Sequence, residues 1–112
     1  MIPAVARRTL PVAALLAALL ALAGCRPATL TALERYQIDR GAPDEPMALV
    51  LVEEPGGDAF LRERAVDVDP EDPAVERLAR RMLATVIAAP GVGIAAPQVG
   101  ISRRLVWVQR LD

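Results

Sequence analysis

Val75, Leu78, Met82, Val86 and Ala89 recur at spacings of 3, 4, 4 and 3, one apolar stripe at helical period. Two Asp-Pro pairs, Asp69-Pro70 and Asp72-Pro73, stand just ahead of it. Each offers a capping carboxylate followed by a proline suited to the first helical position. Glu76 near the start can reach Arg80 one turn on, and Arg77, Arg80 and Arg81 lie mostly off the stripe. Pro90-Gly91 stops the helix. Residues 104–109 (RLVWVQ) are apolar on both faces and predict a strand buried in a sheet. Residues 48–52 (ALVLV) predict a short strand ended by the turn signal Pro55-Gly56-Gly57. Residues 60–64 predict a turn or one helical turn, and 65–68 a brief extended segment. The stretch 26–46 is polar, with Pro27, Gly41, Pro43 and Pro46 scattered through it. It reads as a flexible tether, with one or two helical turns at 31–38.

The order strand, turn, helix, loop, strand implies an α+β fold, a small mixed or antiparallel sheet with one packed helix. A strand buried on both faces needs neighbours on both edges to pair its backbone groups. Residues 48–52 supply one neighbour, so the sheet reads as incomplete.

The amino terminus follows a different pattern. Residues 1–9 carry Arg7 and Arg8 and no acid, and residues 10–22 are almost purely Ala, Leu and Val. That run is too short to span a bilayer as a helix but suits the apolar region of a signal peptide. Leu22-Ala23-Gly24-Cys25 follows at once and resembles the lipobox of bacterial lipoproteins. The resemblance implies a signal peptide over 1–24, a lipidated Cys25 opening a tether over 25–47, and anchoring to a membrane of the bacterial cell envelope. The alternative is a short amino-terminal anchor helix with a chance cysteine.

Composition narrows the function classes. The formal charge is −1, every basic residue is arginine, and acids and arginines are interspersed without a basic stripe. No nucleic-acid partner is therefore expected. With one cysteine in the sequence, no intrachain disulfide can form. There is no histidine.

Candidate chemistry concentrates in residues 91–100, GVGIAAPQVG. Gly91 and Gly93 let another backbone come close. Ala95 and Ala96 are small enough to pack against a ligand, and Pro97 stiffens the run. Gln98 offers a carboxamide NH₂, a neutral donor that can be aimed at a developing oxyanion. The loop lacks the Gly-Lys-Ser/Thr ending of a phosphate-binding loop.

This loop resembles the first signature of peptide deformylases, G-x-G-Φ-A-A-x-Q, with Ile94 where leucine is commoner. The flanks fit over residues 48–112: an opening strand, LRERA at 61–65, the L-x-x-x-M helix pattern of Leu78 and Met82, then Thr85, and RLVWVQ after the loop. The resemblance implies an incomplete peptide-deformylase-like fold and a metal-dependent amidase that removes the formyl group from amino-terminal formyl-methionine. Its iron or zinc is held by a cysteine of an E-G-C-L-S motif and two histidines of an H-E-x-x-H motif. Carried over, Gln98 matches the catalytic oxyanion glutamine, and Val92 and Gly93 match substrate-binding positions of the cleft. Gly91, Ala95 and Ala96 match positions that set its shape. Neither metal motif is in this sequence, so no metal ligand and no cofactor are assigned to it, and Cys25 precedes the first motif instead of following it. The expected partners are formylated peptide amino termini and, through Cys25, a membrane. The leading expectation is the amino-terminal portion of an exported, lipid-anchored deformylase-like hydrolase, not competent for the family reaction as written. The alternative is a non-catalytic lipid-anchored peptide-binding or relic lipoprotein. Deformylation is normally cytoplasmic work, so export implies formylated or acylated peptides outside the membrane.

Overall fold

The computed structural model describes residues 28–110. The expected signal peptide and Cys25 lie outside the described residues.

Among the described residues, three helices, α1 (Ala32–Asp39), α2 (Gly57–Leu61) and α3 (Pro73–Ala88), precede a two-stranded antiparallel sheet of β1 (Gly93–Ala95) and β2 (Val106–Val108). A 3₁₀ turn, Ala96–Val99, follows β1 directly. The helix α3 begins where the sequence places it. The Asp72 carboxylate accepts from the Ala74 N–H at 2.9 Å, and Pro73 opens the helix. Its buried face comprises Ala74, Val75, Leu78, Arg81, Met82 and Thr85. Arg81 is thus on the inside, contrary to its expected place off the stripe. Its Nε donates to the Glu45 carbonyl (3.0 Å), and Nη1 donates to the Ile38 (2.9 Å) and Gln37 (3.3 Å) carbonyls. Backbone acceptors from residues 37–45 replace its water, which is the condition for burying a charge.

The stretch expected as a tether folds from Leu30 onward. Thr31 caps α1 in a capping box: its hydroxyl accepts from the Glu34 N–H (3.1 Å), and its own N–H donates to the Glu34 carboxylate (2.9 Å). Leu30 and Ile38 enter the core, and α1 packs on α3. The helix is therefore part of the fold because its cap is satisfied and its apolar residues find α3.

Residues 48–52 are not a strand. One backbone bond, Val50 N–H to the Gln98 carbonyl at 2.8 Å, joins them to the 3₁₀ turn, and Leu51 and Val52 are exposed. A turn offers a single acceptor here where a strand would offer a ladder. Met47 and Leu49 still pack against the core. Residues 65–68 are extended as expected, and Val66 forms a parallel bridge with Arg103.

The second strand is shorter and far more open than its sequence implies. Val106, Trp107 and Val108 are all exposed. Among the described residues, β2 is paired only with β1 along its length, so neither its outer edge nor its outer face is covered. The core itself lies between α1, α3, β1 and the 3₁₀ turn, and Leu78, Met82, Ala96 and Ile101 are fully buried in it. Among the described residues, no helix is long and apolar enough to cross a membrane.

Candidate functional site

The loop from Pro90 to Ile101 is held from beneath by its own apolar residues. Ile94, Ala96, Val99 and Ile101 point into the core. Gly100, at φ 86°, reverses the chain after the 3₁₀ turn, and its N–H donates to the Pro97 carbonyl at 3.0 Å. The Ile101 N–H donates to the Ala96 carbonyl at 3.1 Å. With these four side chains inward, Gln98 is left on the surface.

Gln98 is held once through its backbone and once through its side chain. Its backbone carbonyl accepts from Val50, and its side-chain Oε1 accepts from the Ala95 N–H at 2.8 Å. A backbone N–H can only donate, so the amide oxygen must be the atom facing Ala95. The Nε2 group, with its two donors, is thereby turned outward.

Gly93 is in β1, where it pairs with Val108. A Cβ on Gly93 would lie 2.5 Å from the Trp107 carbonyl oxygen, so the strands can come this close only at a glycine. The register is Gly93↔Val108, Ile94↔Trp107 and Ala95↔Val106. Bonds just beyond each end, Ala96 N–H to the Leu105 carbonyl and Gln109 N–H to the Val92 carbonyl, put Ile94↔Trp107 in the hydrogen-bonded set. Gly93 and Ala95 therefore direct their N–H and C=O groups to the outer edge of β1. The Gln98 amide oxygen takes up the Ala95 N–H on that edge.

Val92 is exposed. With Gly91, Gly93, Val86, Ile87 and Trp107 it lines an apolar cleft of about 420 Å³. Gln98 does not line that cleft. The structure thus ties Gln98 to Ala95, two residues from Gly93 in β1, and puts Val92 and Gly93 in one cleft. Cys25 lies outside the described residues.

Two supports of the loop were not legible as site residues. Arg103, 5% exposed, makes a two-pronged pair with Glu34, Nε to Oε2 and Nη2 to Oε1, both at 2.8 Å. It also donates to the carbonyls of Asp67 (3.0 Å) and Thr29 (3.1 Å). The loop's exit is thereby locked to α1. Burial pushes the Glu34 carboxyl up, but hydrogen bonds from Arg103 and Thr31 outweigh it and hold its pKa below the ordinary value. Thr85 accepts from the Met47 N–H (2.8 Å) and donates to the Arg81 carbonyl (2.7 Å), tying residue 47 to α3. The Thr31-x-x-Glu34 spacing of a capping box is a signal for the Glu34 cap and not for the arginine.

Among the described residues, no group of three or more His, Cys, Asp or Glu side chains is placed to hold a metal ion.

Comparison with known proteins adds independent findings. The family model for polypeptide deformylase matches residues 52–111. The peptide deformylase of Synechocystis sp. is 44% identical over 75 residues, covering 67% of this chain and 36% of the relative. That of Desulfitobacterium hafniense is 47% identical over 62 residues, covering 55% of this chain and 41% of the relative. Among solved structures, a peptide deformylase from Synechococcus elongatus in complex with actinonin matches with a TM-score of 0.50 and 32% identity. That match covers 62% of this chain and 38% of the other. The chain thus spans well under half the length of the relatives it matches.

Proposed function

Because this chain belongs to the polypeptide deformylase family, we propose that residues 48–112 carry the oxyanion-and-cleft wall of a peptide deformylase, an amide hydrolase that removes the formyl group from formyl-methionine at peptide amino termini. Gly93 and Val92 receive the peptide, Gly93 by its outward backbone groups and Val92 by its apolar side chain. The Nε2 of Gln98 donates to the carbonyl oxygen that gains negative charge when the formyl carbon is attacked. The observation that carries this reading is the orientation of Gln98. With Oε1 bound to the Ala95 N–H at 2.8 Å, its donors are aimed before substrate arrives. A donor fixed in advance stabilises a transition state without reorganising.

The family's iron or zinc does not fit the residues of this chain. There is no histidine in the sequence, and the described acids form no ligand cluster. No step of the reaction is therefore derived through a metal here.

A segment swap tests the reading. Residues 52–111 replace the matching stretch of the Synechocystis relative, and the hybrid is assayed on a formyl-methionine peptide. The expected result is deformylation that falls by about 100- to 1000-fold in kcat in the Gln98→Ala hybrid. A folded, metal-loaded hybrid without activity, beside an active parent, would overturn it.

Lipid anchoring is a separate proposal. The order of Arg7 and Arg8, the apolar run 10–22 and Leu22-Ala23-Gly24-Cys25 supports attachment at Cys25 to the cell envelope. Its substrates would then be formylated or acylated peptides outside the membrane. Equal palmitate labelling of the parent and Cys25→Ser would remove the anchor. A second reading, a lipid-anchored peptide-binding protein without catalysis, is favoured by the apolar cleft at Val92, Gly93 and Trp107, which needs no metal ligand to form. An active hybrid would count against it.

A further inference from the structure

Folding of the stretch expected as a tether brings the folded part close to Cys25. The Thr29 carbonyl accepts from Arg103 Nη2 at 3.1 Å, Leu30 is buried in the core, and Thr31 caps α1. From Cys25 to Thr29 is a step of four residues. Fully extended chain covers at most about 14 Å over such a step. The headgroup layer of a bilayer is itself about 5–8 Å deep on each side. A lipid on Cys25 therefore leaves the folded part no room to stand clear, and some face of it must meet the headgroups.

Helix α1 offers a face suited to that contact. Leu33 and Tyr36 are 64% and 63% exposed, whereas Ile38, the other large apolar residue of the helix, is buried. Arg40 follows Tyr36 by four positions and Leu33 by seven, so the three share one side of the helix. The charges within α1 are already matched: Glu34 to Arg103, Arg35 to Asp72 and Asp39 to Arg77. Arg40 is exposed and makes no ion pair among the described residues. Residues 26–33 (RPATLTAL) add Arg26 and no acid. The side of the molecule nearest Cys25 thus presents apolar surface, uncompensated positive charge and no unmatched acid on the helix. Tyrosine, with an apolar ring and a polar tip, suits the boundary between headgroups and acyl chains.

We infer that α1 is a membrane-docking helix whose occupant is a lipid surface with anionic headgroups. Leu33 and Tyr36 enter the headgroup boundary, and Arg40 pairs with headgroup phosphates. The inference rests on the anchor proposed at Cys25, and it turns that anchor from a leash into a fixed orientation. A second copy is the poorer occupant, because two side chains supply a small part of the about 800 Å² per partner that a stable interface buries. A lipid surface needs no such area, since the linkage at Cys25 already holds it beside the helix. Among the described residues, no residue of α1 lines the cleft at Val92, Gly93 and Trp107, so a docked chain keeps that cleft open.

The test uses the full 112-residue chain, whose only cysteine, tyrosine and tryptophan are Cys25, Tyr36 and Trp107. Fluorotyrosine and fluorotryptophan then give one fluorine resonance on α1 and one in the cleft. Cys25 is coupled to a maleimide lipid in vesicles of phosphatidylethanolamine and phosphatidylglycerol that carry a nitroxide at the headgroup. The expected result is strong broadening of the Tyr36 line and far weaker broadening of the Trp107 line. Leu33→Ser should lower the docked fraction relative to the undocked by about tenfold. Arg40→Gln should lower it by about fivefold, as should replacing phosphatidylglycerol by a neutral lipid. Both side chains are exposed, so neither variant should move the thermal transition. Equal broadening of the two lines, broadening of Trp107 alone, or no change in Leu33→Ser overturns the inference. A Tyr36 line that shifts with chain concentration without vesicles also overturns it, because the occupant is then a second copy. The coupling is chemical and does not depend on lipidation in the cell. Docking of the coupled chain without palmitate labelling at Cys25 keeps the lipid-binding face and removes the anchor. Labelling without docking does the reverse.

Discussion

The side of α3 that meets α1 and the side that meets the β1–β2 ribbon differ in how fully each satisfies its groups. Toward α1, two buried arginines are saturated. Arg81 is enclosed by main-chain carbonyls, and Arg103 by Glu34 and two further carbonyls. Leu78 and Met82 are fully buried. Toward the ribbon, Ile87, Val92, Val106 and Val108 are each more than 60% exposed, and a sheet of two strands carries the loop. Two-stranded ribbons are marginal by themselves. The contrast teaches that the loop bearing Gln98 takes its rigidity from α1, α3 and Arg103 and not from its own sheet. A reading centred on the family match alone would miss this, because α1 lies ahead of residue 52.

The sharpest way to break that contrast is at the closed side. Arg103→Ala leaves the Glu34 carboxylate buried without its partner. It should cost about 3–5 kcal/mol in urea unfolding, and a loss below about 1 kcal/mol would mean that the pair is merely a surface contact. Leu78→Ala should cost about 2–5 kcal/mol by opening a cavity. On the open side, Gly93→Ala forces a methyl against the Trp107 carbonyl oxygen and should cost about 1–3 kcal/mol. Val106→Ala should move stability by about 0.5 kcal/mol or less. A large loss there would mean that the exposed edge is already covered.

Acid sharpens the comparison further. The Arg35 hydrogen bonds, then the Ala74 N–H, lower the Asp72 pKa from 3.8. Arg103 and Thr31 lower that of Glu34 from 4.5 against the effect of burial. A lowered folded-state pKa contributes stability that is complete above the unfolded value and lost as pH falls through the folded one. Unfolding midpoints should therefore hold above about pH 5 and drop below it. In Glu34→Gln the midpoint is lower at neutral pH, and its fall with acid is shallower. An equally steep fall would assign the acid sensitivity to other carboxylates.

The sequence by itself determined the local elements. The stripe from Val75 to Met82, the Asp72-Pro73 start and the Pro90-Gly91 stop gave α3, because caps and periodicity act within one or two turns of chain. The Gly-x-Gly and Ala-Ala-Pro-Gln run located the loop, and Gln98 stood out as its one carboxamide. What needed the tertiary structure was every assignment resting on a partner far along the chain. Residues 26–46 look like a tether because polarity and prolines are local signals, whereas Arg81 binds the Ile38 carbonyl from 43 positions away, and Thr85 holds Met47 just beyond that stretch. Residues 48–52 look like a short strand and 104–109 like a buried one because valine and leucine runs report apolarity and not the presence of a neighbour. Only the fold decided that one meets a turn and the other an open edge. The aim of Gln98 was likewise set by the fold. Its oxygen is claimed by Ala95 because β1 turns that N–H outward, and strand register is a property of two segments together.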